Sequence, residues 1–384
     1  MSYQKLVKEL SALISFPTVS TSPTEAISSY LAEKLQKQGF EIEYYHCPTD
    51  KKRANVLASI GPKNTDGLLL SGHMDVVPID GQNWQSDPFK LIEKENKLYG
   101  RGSVDMKGFI ASTMVALENF NKKDFKKELA LLWTYDEEIG CCGSRVFKDH
   151  FDLKKRNLPK RCIIGEPTEQ KMISQHNGIF VFDVELQGKA AHSSQPSWGV
   201  NAISDMTKIM QKLDGIQTIL KKKQTSQFMQ KFLKDSFTTI TMAKIEGGLA
   251  YNIVPEKAKL VVSVRPIPGI DFSKTKDFIF HELTQLKLKS TIKITEIASS
   301  AGLFTSTNSS TEKLLKSFAV DENLQGVAYC TDGGNLQYLN LEPIIFGPGS
   351  IEQAHKPDEF ISTTEIISFT DKLVNIINKQ CLIL

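Results

Sequence analysis

Five apolar segments of this 384-residue chain each run into a histidine or a carboxylic acid, and this pattern constrains the fold more than any other feature. The polar residues stand at the ends of predicted strands or at the start of a predicted helix. They are His73, Asp105, the pair Glu137 and Glu138, Glu166 and His355. Because strand ends meet at one edge of an α/β sheet, we expect these groups to converge.

Carboxylates gathered at one sheet edge would repel one another and resist burial, and divalent cations would remove that conflict. Two histidines with three or four carboxylates suit two zinc ions, or cobalt or manganese, whereas no cysteine stands at a ligand-like position. Each position alone is more typical of a solvated terminus. The complete set predicts a centre with two metal ions.

The stretch "SGHMDVVPID" places a histidine and an aspartate two positions apart at the end of a strand. Alternation along the strand puts His73 and Asp75 on the same side. The Asp75 carboxylate is therefore expected to hold one imidazole nitrogen of His73 and leave the other for a metal.

The first part of the chain alternates predicted helices and strands, which is typical of an α/β domain with a largely parallel central sheet. An amphipathic helix that ends at Pro17 comes first. The following elements are a helix at 24–38, strands at 41–46, 54–59, 67–73 and 129–135, and a helix at 106–122. A terminal amphipathic helix is predicted at 363–378.

After about residue 178 the predicted order becomes β-α-β-β-α-β, which is the order of a ferredoxin-like α+β domain. The elements are a strand at 180–187, a helix at 199–213, strands at 237–245 and 251–264, a helix at 272–286 and a strand at 291–298. One sheet face is left free, which favours pairing with a second copy. We expect a discontinuous α/β domain, 1–178 and 300–384, interrupted by an inserted domain, 179–299.

Composition argues against nucleic-acid and membrane partners. The net charge is only +3, and the run Lys221–Lys223, with no interleaved aromatic residues, is interpreted as a solvated loop. No apolar stretch approaches 18 residues, and the N-terminus lacks the apolar core of a signal peptide. Six cysteines without framework spacing favour a reducing compartment, so we expect a cytoplasmic protein.

Six ordered segments resemble one known family, the co-catalytic dizinc deacylases and exopeptidases. The segments are "GHMDVVP", "GRGSVDMKG", "DEE", "GEPT", "AAHSSQPSWGVNAI" and "GPGSIEQAHKPDE", and they cover essentially the whole chain. The family includes acetylornithine deacetylases, succinyl-diaminopimelate desuccinylases, aminoacylases and glutamate-releasing carboxypeptidases. The resemblance implies a zinc-binding catalytic domain with an inserted dimerisation and lid domain, and therefore a homodimer.

The resemblance also implies a role for each matching residue. His73 and Glu166 match ligands of one zinc, Glu138 and His355 match ligands of the other, and Asp105 matches the bridging carboxylate. Asp75 would orient His73, and Glu137 would be the general base.

Four further residues match positions that meet the substrate in the family. His192 matches a residue that reaches the substrate of the other subunit. Asn252 and Arg265, on the predicted third strand of the inserted domain, and Gly347 match substrate-binding positions. A structural ion pair for Arg265 and a simple turn for Gly347 remain alternatives.

The segments "CIIGEPT", "HSSQPSWGVNAI" and "GPGSIEQAHKPDEF" are most similar to the acetylornithine deacetylase branch, which implies an N-acyl amino acid as the small-molecule substrate. Asp332 or Glu352 would then be candidates to meet an ornithine ammonium group, although both are expected to be surface acids. Succinyl-diaminopimelate desuccinylase and a broader aminoacylase or dipeptidase are the alternatives within the family. An inactive metal-binding scaffold is the alternative outside enzymes, and its signature would be a lost ligand or base.

Overall fold

The computed structural model describes residues 3–63 and 65–382. The chain forms two compact units. The first comprises Met1–Gln175, Leu303–Gln325 and Thr331–Leu384, and the second comprises His176–Gly302 and Gly326–Cys330. The sequence placed the domain boundaries after residues 178 and 299, and it did not anticipate that the segment Gly326–Cys330 joins the second unit.

The strands and helices are numbered here in chain order. The strands are β1 (Glu41–His46), β2 (Ala54–Ile60), β3 (Leu68–His73), β4 (Ile92–Lys94), β5 (Lys97–Tyr99), β6 (Leu129–Thr134), β7 (Arg161–Ile164), β8 (Ile173–His176), β9 (Ile179–Gln187), β10 (Thr239–Gly247), β11 (Lys257–Arg265), β12 (Thr291–Ser300), β13 (Leu303–Phe304), β14 (Gln325–Val327), β15 (Glu342–Ile345) and β16 (Phe360–Ser362). The helices are α1 (Tyr3–Ile14), α2 (Glu25–Lys37), α3 (Lys107–Leu117), α4 (Cys142–His150), α5 (Ala202–Lys223), α6 (Phe272–Thr284), α7 (Ser310–Leu315), α8 (Gly333–Leu336) and α9 (Thr363–Ile377).

The first unit is built on a large sheet with the strand order β1-β2-β6-β3-β7-β15-β8-β13, with β14 paired to β8. Its four central strands, β6, β3, β7 and β15, run parallel, and antiparallel strands flank them. Strands β2, β3 and β6 are buried along their whole length, as their continuous apolar sequences require. The predicted α/β class with a largely parallel sheet is confirmed.

Helices α1, α3 and α9 pack together beside this sheet. Every residue of α3 is buried, because its sequence KGFIASTMVAL is apolar or small on all sides. A smaller three-stranded sheet has the order β16-β5-β4. Its strand β16 directly precedes α9 and pairs Phe360 with Tyr99 of β5. The parallel strands therefore have a fixed, close-packed base, and their carboxyl ends can hold side chains in place.

The second unit is a four-stranded antiparallel sheet of order β10-β11-β9-β12 with α5 and α6 on one face. The element order is β-α-β-β-α-β, and the predicted ferredoxin-like arrangement is confirmed. The helix-covered face is apolar and buried, for example at Phe182 and Leu260. On the other face Lys259 forms ion pairs with Asp183 and Glu185, at 2.7 Å each.

Three predicted elements have different bounds in the structure. The helix predicted at 199–213 continues to Lys223, so the lysine run is the last turn of α5 and the loop interpretation is wrong. Apolar residues at helical spacing, Ile216 and Leu220, extend its buried face. The strand predicted from 251 begins at Lys257, and the helix predicted to 122 ends at Leu117.

In the part of the chain that the structure describes, no helix has the length and apolar character needed to span a membrane.

Candidate metal centre

The four parallel strands of the first unit end beside the residues that the sequence singled out. His73 is the last residue of β3, Glu137 and Glu138 follow β6, and Glu166 follows β7. These strands are neighbours in the sheet and point the same way, so their ends share one edge. The convergence expected from the sequence is therefore built by the parallel core.

The Asp105 carboxylate lies between two histidines. Its Oδ1 is 2.9 Å from Nε2 of His73, and its Oδ2 is 3.1 Å from Nε2 of His355. Asp105 comes two residues before α3 and is buried, whereas the side chain of His355 is about half exposed, at 53%. One carboxylate oxygen thus faces each histidine, which is the arrangement of a bridging ligand.

A second carboxylate accompanies each histidine. Oε2 of Glu138 is 3.0 Å from Nε2 of His355, and Oε1 of Glu166 is 3.5 Å from Nε2 of His73. The ligand atoms of His73, Asp105 and Glu138 lie within 4.8 Å of one another, and so do those of His73, Glu137 and Glu166. The five predicted ligands are brought together by the fold.

The contacts of the Asp75 side chain differ from those predicted from the sequence. The Nδ1 atom of His73 is hydrogen bonded to the main-chain oxygen of Asp75, at 2.9 Å, while the carboxylate oxygen is 3.6 Å away. The carboxylate instead accepts hydrogen bonds from the main-chain N–H groups of Glu137 and Glu138, at 3.0 and 3.3 Å, and from Oγ of Ser20, at 2.7 Å. Because β3 ends at His73, strand alternation no longer governs Asp75, and its side chain holds the neighbouring Glu137–Glu138 turn.

The side chains of Glu137 and Glu138 contact different partners, because side chains of consecutive residues point in different directions. Glu138 meets His355, whereas Glu137 lies with Glu166 and receives the Cys141 thiol, whose sulfur is 3.4 Å from its Oε1. Glu137 is buried. Its position is compatible with a proton acceptor beside the metals and also with a ligand, so its assignment as the base remains a prediction.

The electrostatics of the cluster favour bound cations. Burial and the charge of Glu166 raise the pKa of Glu137 well above its usual value, and burial with the charge of Asp105 does the same for Glu166. Burial and Asp105 also raise the pKa of Glu138 to about 7. Hydrogen bonds to Asp105 and Glu138 raise the pKa of His355 to about 10.

These pKa shifts show that burial and neighbouring negative charges disfavour the ionised carboxylates, so the binding of a proton or a cation stabilises the cluster. Imidazole and carboxylate donors are the ligands of two-metal hydrolytic centres, and no thiolate is needed. The residues therefore fit a dinuclear site for divalent metal ions. His73 and Glu166 would hold one ion, Glu138 and His355 the other, and Asp105 would touch both.

Comparison with known proteins bears on the same residues. The model of Peptidase family M20/M25/M40 matches residues 69–379. The chain belongs to this family. That match runs through all the candidate ligands, from His73 to His355, and it confirms the resemblance found in the sequence.

Individual relatives of this M20 chain cover nearly its whole length. It is 34% identical over 380 residues to an acetylornithine deacetylase of Buchnera aphidicola, covering 96% of both chains. It is 33% identical over 379 residues to an acetylornithine deacetylase of Proteus mirabilis, covering 96% of this chain and 95% of the relative. An M20 family metallo-carboxypeptidase from Sulfolobus solfataricus has the same fold, with a TM-score of 0.76 at 19% identity and 98% coverage of both chains.

Three further predicted site residues of this M20 chain lie on the second unit. His192 is exposed, and its Nδ1 is 2.7 Å from Oγ of Ser194. Asn252 is also exposed, and its main-chain oxygen accepts the N–H of Ser193, the residue after His192, at 3.0 Å. Asn252 precedes β11, so its predicted place on a strand is wrong. Arg265 ends β11 and makes no ion pair with any residue that the structure describes.

Gly347 lies against the backbone that carries Glu166. A Cβ atom at this glycine would be 2.2 Å from the carbonyl oxygen of Gly165 and 2.4 Å from that of Glu166. Its own carbonyl accepts the N–H of Gln170, at 3.0 Å. The close approach explains the glycine without a ligand, and a substrate contact at Gly347 remains a prediction.

Changing Gly347 to alanine should therefore disturb Glu166. Overpacking of this kind costs about 1–3 kcal/mol, so the variant should unfold at lower denaturant concentration and bind metal more weakly. Gly215→Ala is the matched control, because nothing lies within 4 Å of a Cβ there. Unchanged stability and metal affinity in Gly347→Ala would show that the contact is not tight.

The sequence missed several residues of the centre. Asp332, expected at the surface, is buried, and its Oδ2 accepts the hydroxyl of Thr134 at 2.6 Å. Its ligand atom lies within 4.8 Å of those of Glu137 and Cys141. Glu352 is exposed, as expected. Glu359 is also buried at the centre, and the only signal for it was its place in the motif "HKPDE".

Proposed function

We propose that this chain is an acetylornithine deacetylase, which hydrolyses N2-acetyl-L-ornithine to L-ornithine and acetate. The observation that carries hydrolysis is the placement of one carboxylate oxygen of Asp105 against each of two histidines. The substrate assignment is supported by relatives of that name that match both chains almost end to end. No predicted ligand or base is missing, which argues against an inactive scaffold.

In amide hydrolysis, some side chains of the centre would bind the metal ions, and Glu137 would transfer the proton. When two divalent ions are bound, they polarise the amide carbonyl and lower the pKa of water. Glu137 takes a proton from the attacking water, whose oxygen forms a bond to the carbonyl carbon. Glu137 then returns that proton to the nitrogen as the carbon–nitrogen bond breaks, which gives the free amine and acetic acid, and the acid releases its proton to become acetate.

We propose that both ions are zinc, with cobalt or manganese as substitutes. The support is the donor set: imidazole and carboxylate groups without thiolate are ligands of catalytic zinc sites and also bind cobalt and manganese. None of the six cysteines, all of which lie in the described part of the chain, forms a disulfide. This is consistent with our proposal that the protein works in a reducing cytoplasm.

We propose that the protein is a homodimer and that the second unit supplies the contact. Two large apolar side chains stand almost fully exposed there, Leu249 at 88% and Tyr251 at 99%. They lie just before Asn252 and Ile253, and Ile253 pairs with His192. Exposed apolar groups next to candidate substrate residues are best covered by another copy of the chain.

Within that dimer His192 would stabilise the oxyanion in the site of the other subunit, with Asn252 and Arg265 as further substrate contacts. His192→Ala should lose about 100- to 1,000-fold in kcat, as for other oxyanion donors. Mixing His192→Ala with Glu137→Gln subunits should restore measurable activity, because a mixed dimer contains one complete site. Failure of the mixture to recover would place His192 in its own subunit's site or in a structural role.

A substrate panel tests the proposed reaction. Purified protein loaded with zinc is assayed on N2-acetyl-L-ornithine, N-succinyl-diaminopimelate, N-acetylmethionine and a dipeptide, and kcat/KM values are compared. The highest value should belong to N2-acetyl-L-ornithine. A higher value for the succinyl substrate would assign the desuccinylase reaction, and one for N-acetylmethionine or the dipeptide would assign a broader deacylase or a dipeptidase. No hydrolysis of any of them would contradict the enzyme assignment.

A further inference from the structure

Glu359 is a buried carboxylate that the mechanism does not use. It is 1% exposed and accepts four hydrogen bonds. Its Oε2 accepts Nη1 of Arg101, at 2.7 Å, and the N–H of Gly102, at 3.1 Å. Its Oε1 accepts the N–H groups of Val104 and Asp105, at 2.9 and 3.1 Å. The carboxylate therefore fixes the backbone of the loop that ends in Asp105.

Glu359 itself lies in the loop that carries His355. Its own main-chain oxygen accepts the N–H of Gly100, at 2.9 Å. Arg101, which is also 1% exposed, adds a bond from Nη1 to the carbonyl of Lys356, at 3.3 Å, and one from Nη2 to Oε1 of Gln82, at 2.5 Å. Nε2 of Gln82 donates to the carbonyl of His355, at 2.9 Å. The loops of Asp105 and His355 are thus joined by one hydrogen-bonded network.

His355 depends on such a network more than His73 does. His73 ends a strand that is buried and paired on both sides, so the sheet fixes its backbone. His355 lies between β15, which ends at Ile345, and β16, which begins at Phe360. Its backbone has a φ of +63°, and its main-chain oxygen accepts a hydrogen bond from Nε2 of Gln82, which lies in another loop.

We infer that Glu359 is a positioning residue that sets the distance between Asp105 and His355, and so controls the affinity of the second metal ion. This inference rests on the ligand set of the proposed function. The first ion, held by His73 and Glu166 on strand ends, should depend on Glu359 much less. A network that only stabilised the fold would weaken both ions or neither.

Glu359→Gln tests this with little change in volume. The glutamine side chain would present the two hydrogens of its amide nitrogen either to Arg101 and Gly102 or to Val104 and Asp105. On both sides the neighbouring groups are themselves hydrogen-bond donors, so at least one hydrogen bond is lost. The probe is zinc alone, titrated into metal-free protein by calorimetry and by competition with a chelator. We expect two ions in the native protein and an affinity for the second ion reduced about 10- to 100-fold in Glu359→Gln, with the first nearly unchanged.

Glu128→Gln is the matched control. Glu128 is also fully buried and paired with an arginine, Arg156, but it precedes β6 at the end opposite to Glu137. This variant should be less stable and yet bind both ions normally. If Glu359→Gln does not fold, Gln82→Ala decides, because it removes the link to the His355 carbonyl from a half-buried position and should weaken only the second ion.

The possible results distinguish failure of the proposed ligand set from failure of the role assigned to Glu359. If the native protein binds fewer than two ions, the proposed ligand set fails. If it binds two and Glu359→Gln binds both with native affinity, or loses both equally, the assignment of Glu359 as the positioning residue is overturned. Assays with any particular amide substrate do not enter this comparison.

Discussion

Replacing Glu137 by glutamine should reduce turnover by at least about 100-fold while both metal ions remain bound. Glutamine keeps the shape of the side chain but cannot accept the proton of the attacking water, and general acid–base catalysis contributes about 100- to 10,000-fold. The measurement is kcat on N2-acetyl-L-ornithine together with metal content by elemental analysis. A fall in kcat with KM nearly unchanged would place the loss in the chemical step.

Glu138→Gln is the natural comparison, since the two residues are adjacent but face different partners. Glu138 meets His355 at 3.0 Å, so this variant should lose affinity for the second ion. Glu137 shares a possible ligand cluster with His73 and Glu166. If Glu137→Gln loses an ion as Glu138→Gln does, Glu137 is a ligand, and unchanged turnover would exclude it from both roles.

Removing the metal ions should abolish hydrolysis and lower the midpoint of thermal unfolding. Without cations, burial and then repulsion between neighbouring carboxylates disfavour the ionised forms of Glu137, Glu138 and Glu166 and raise their pKa values. A ligand at 1,000 times its dissociation constant adds about 4 kcal/mol to stability. For a chain of this size that corresponds to a shift on the order of 5 °C or more.

The experiment is dialysis against a chelator followed by calorimetry and a hydrolysis assay. Adding back zinc, cobalt or manganese should restore both activity and the unfolding midpoint, whereas magnesium, which prefers all-oxygen sites, should restore neither. The Glu33→Gln variant, altered at an exposed acid on α2, serves as a control and should respond as the native protein does. Full activity in the metal-free protein would refute a metal-dependent reaction.

Most of the elements were predictable because their signals are local. The buried strand Leu68–His73 and the amphipathic helix Thr363–Ile377 follow directly from apolar runs and helical spacing. The errors arose where a local signal was weak or ambiguous. Lysines can end a helix as readily as they fill a loop, which is why α5 reaches Lys223, and strand-forming residues before Lys257 lie outside the sheet.

The sequence by itself determined the fold class and the types of ligand, because hydrophobic periodicity builds the parallel sheet and its strands carry histidine and carboxylate groups at their ends. Only the tertiary structure decided which atoms meet. It placed Asp105 between two histidines, turned the Asp75 carboxylate to the N–H groups of Glu137 and Glu138, and buried Asp332. Such contacts join residues up to hundreds of positions apart, and local spacing contains no information about the loops that bring them together.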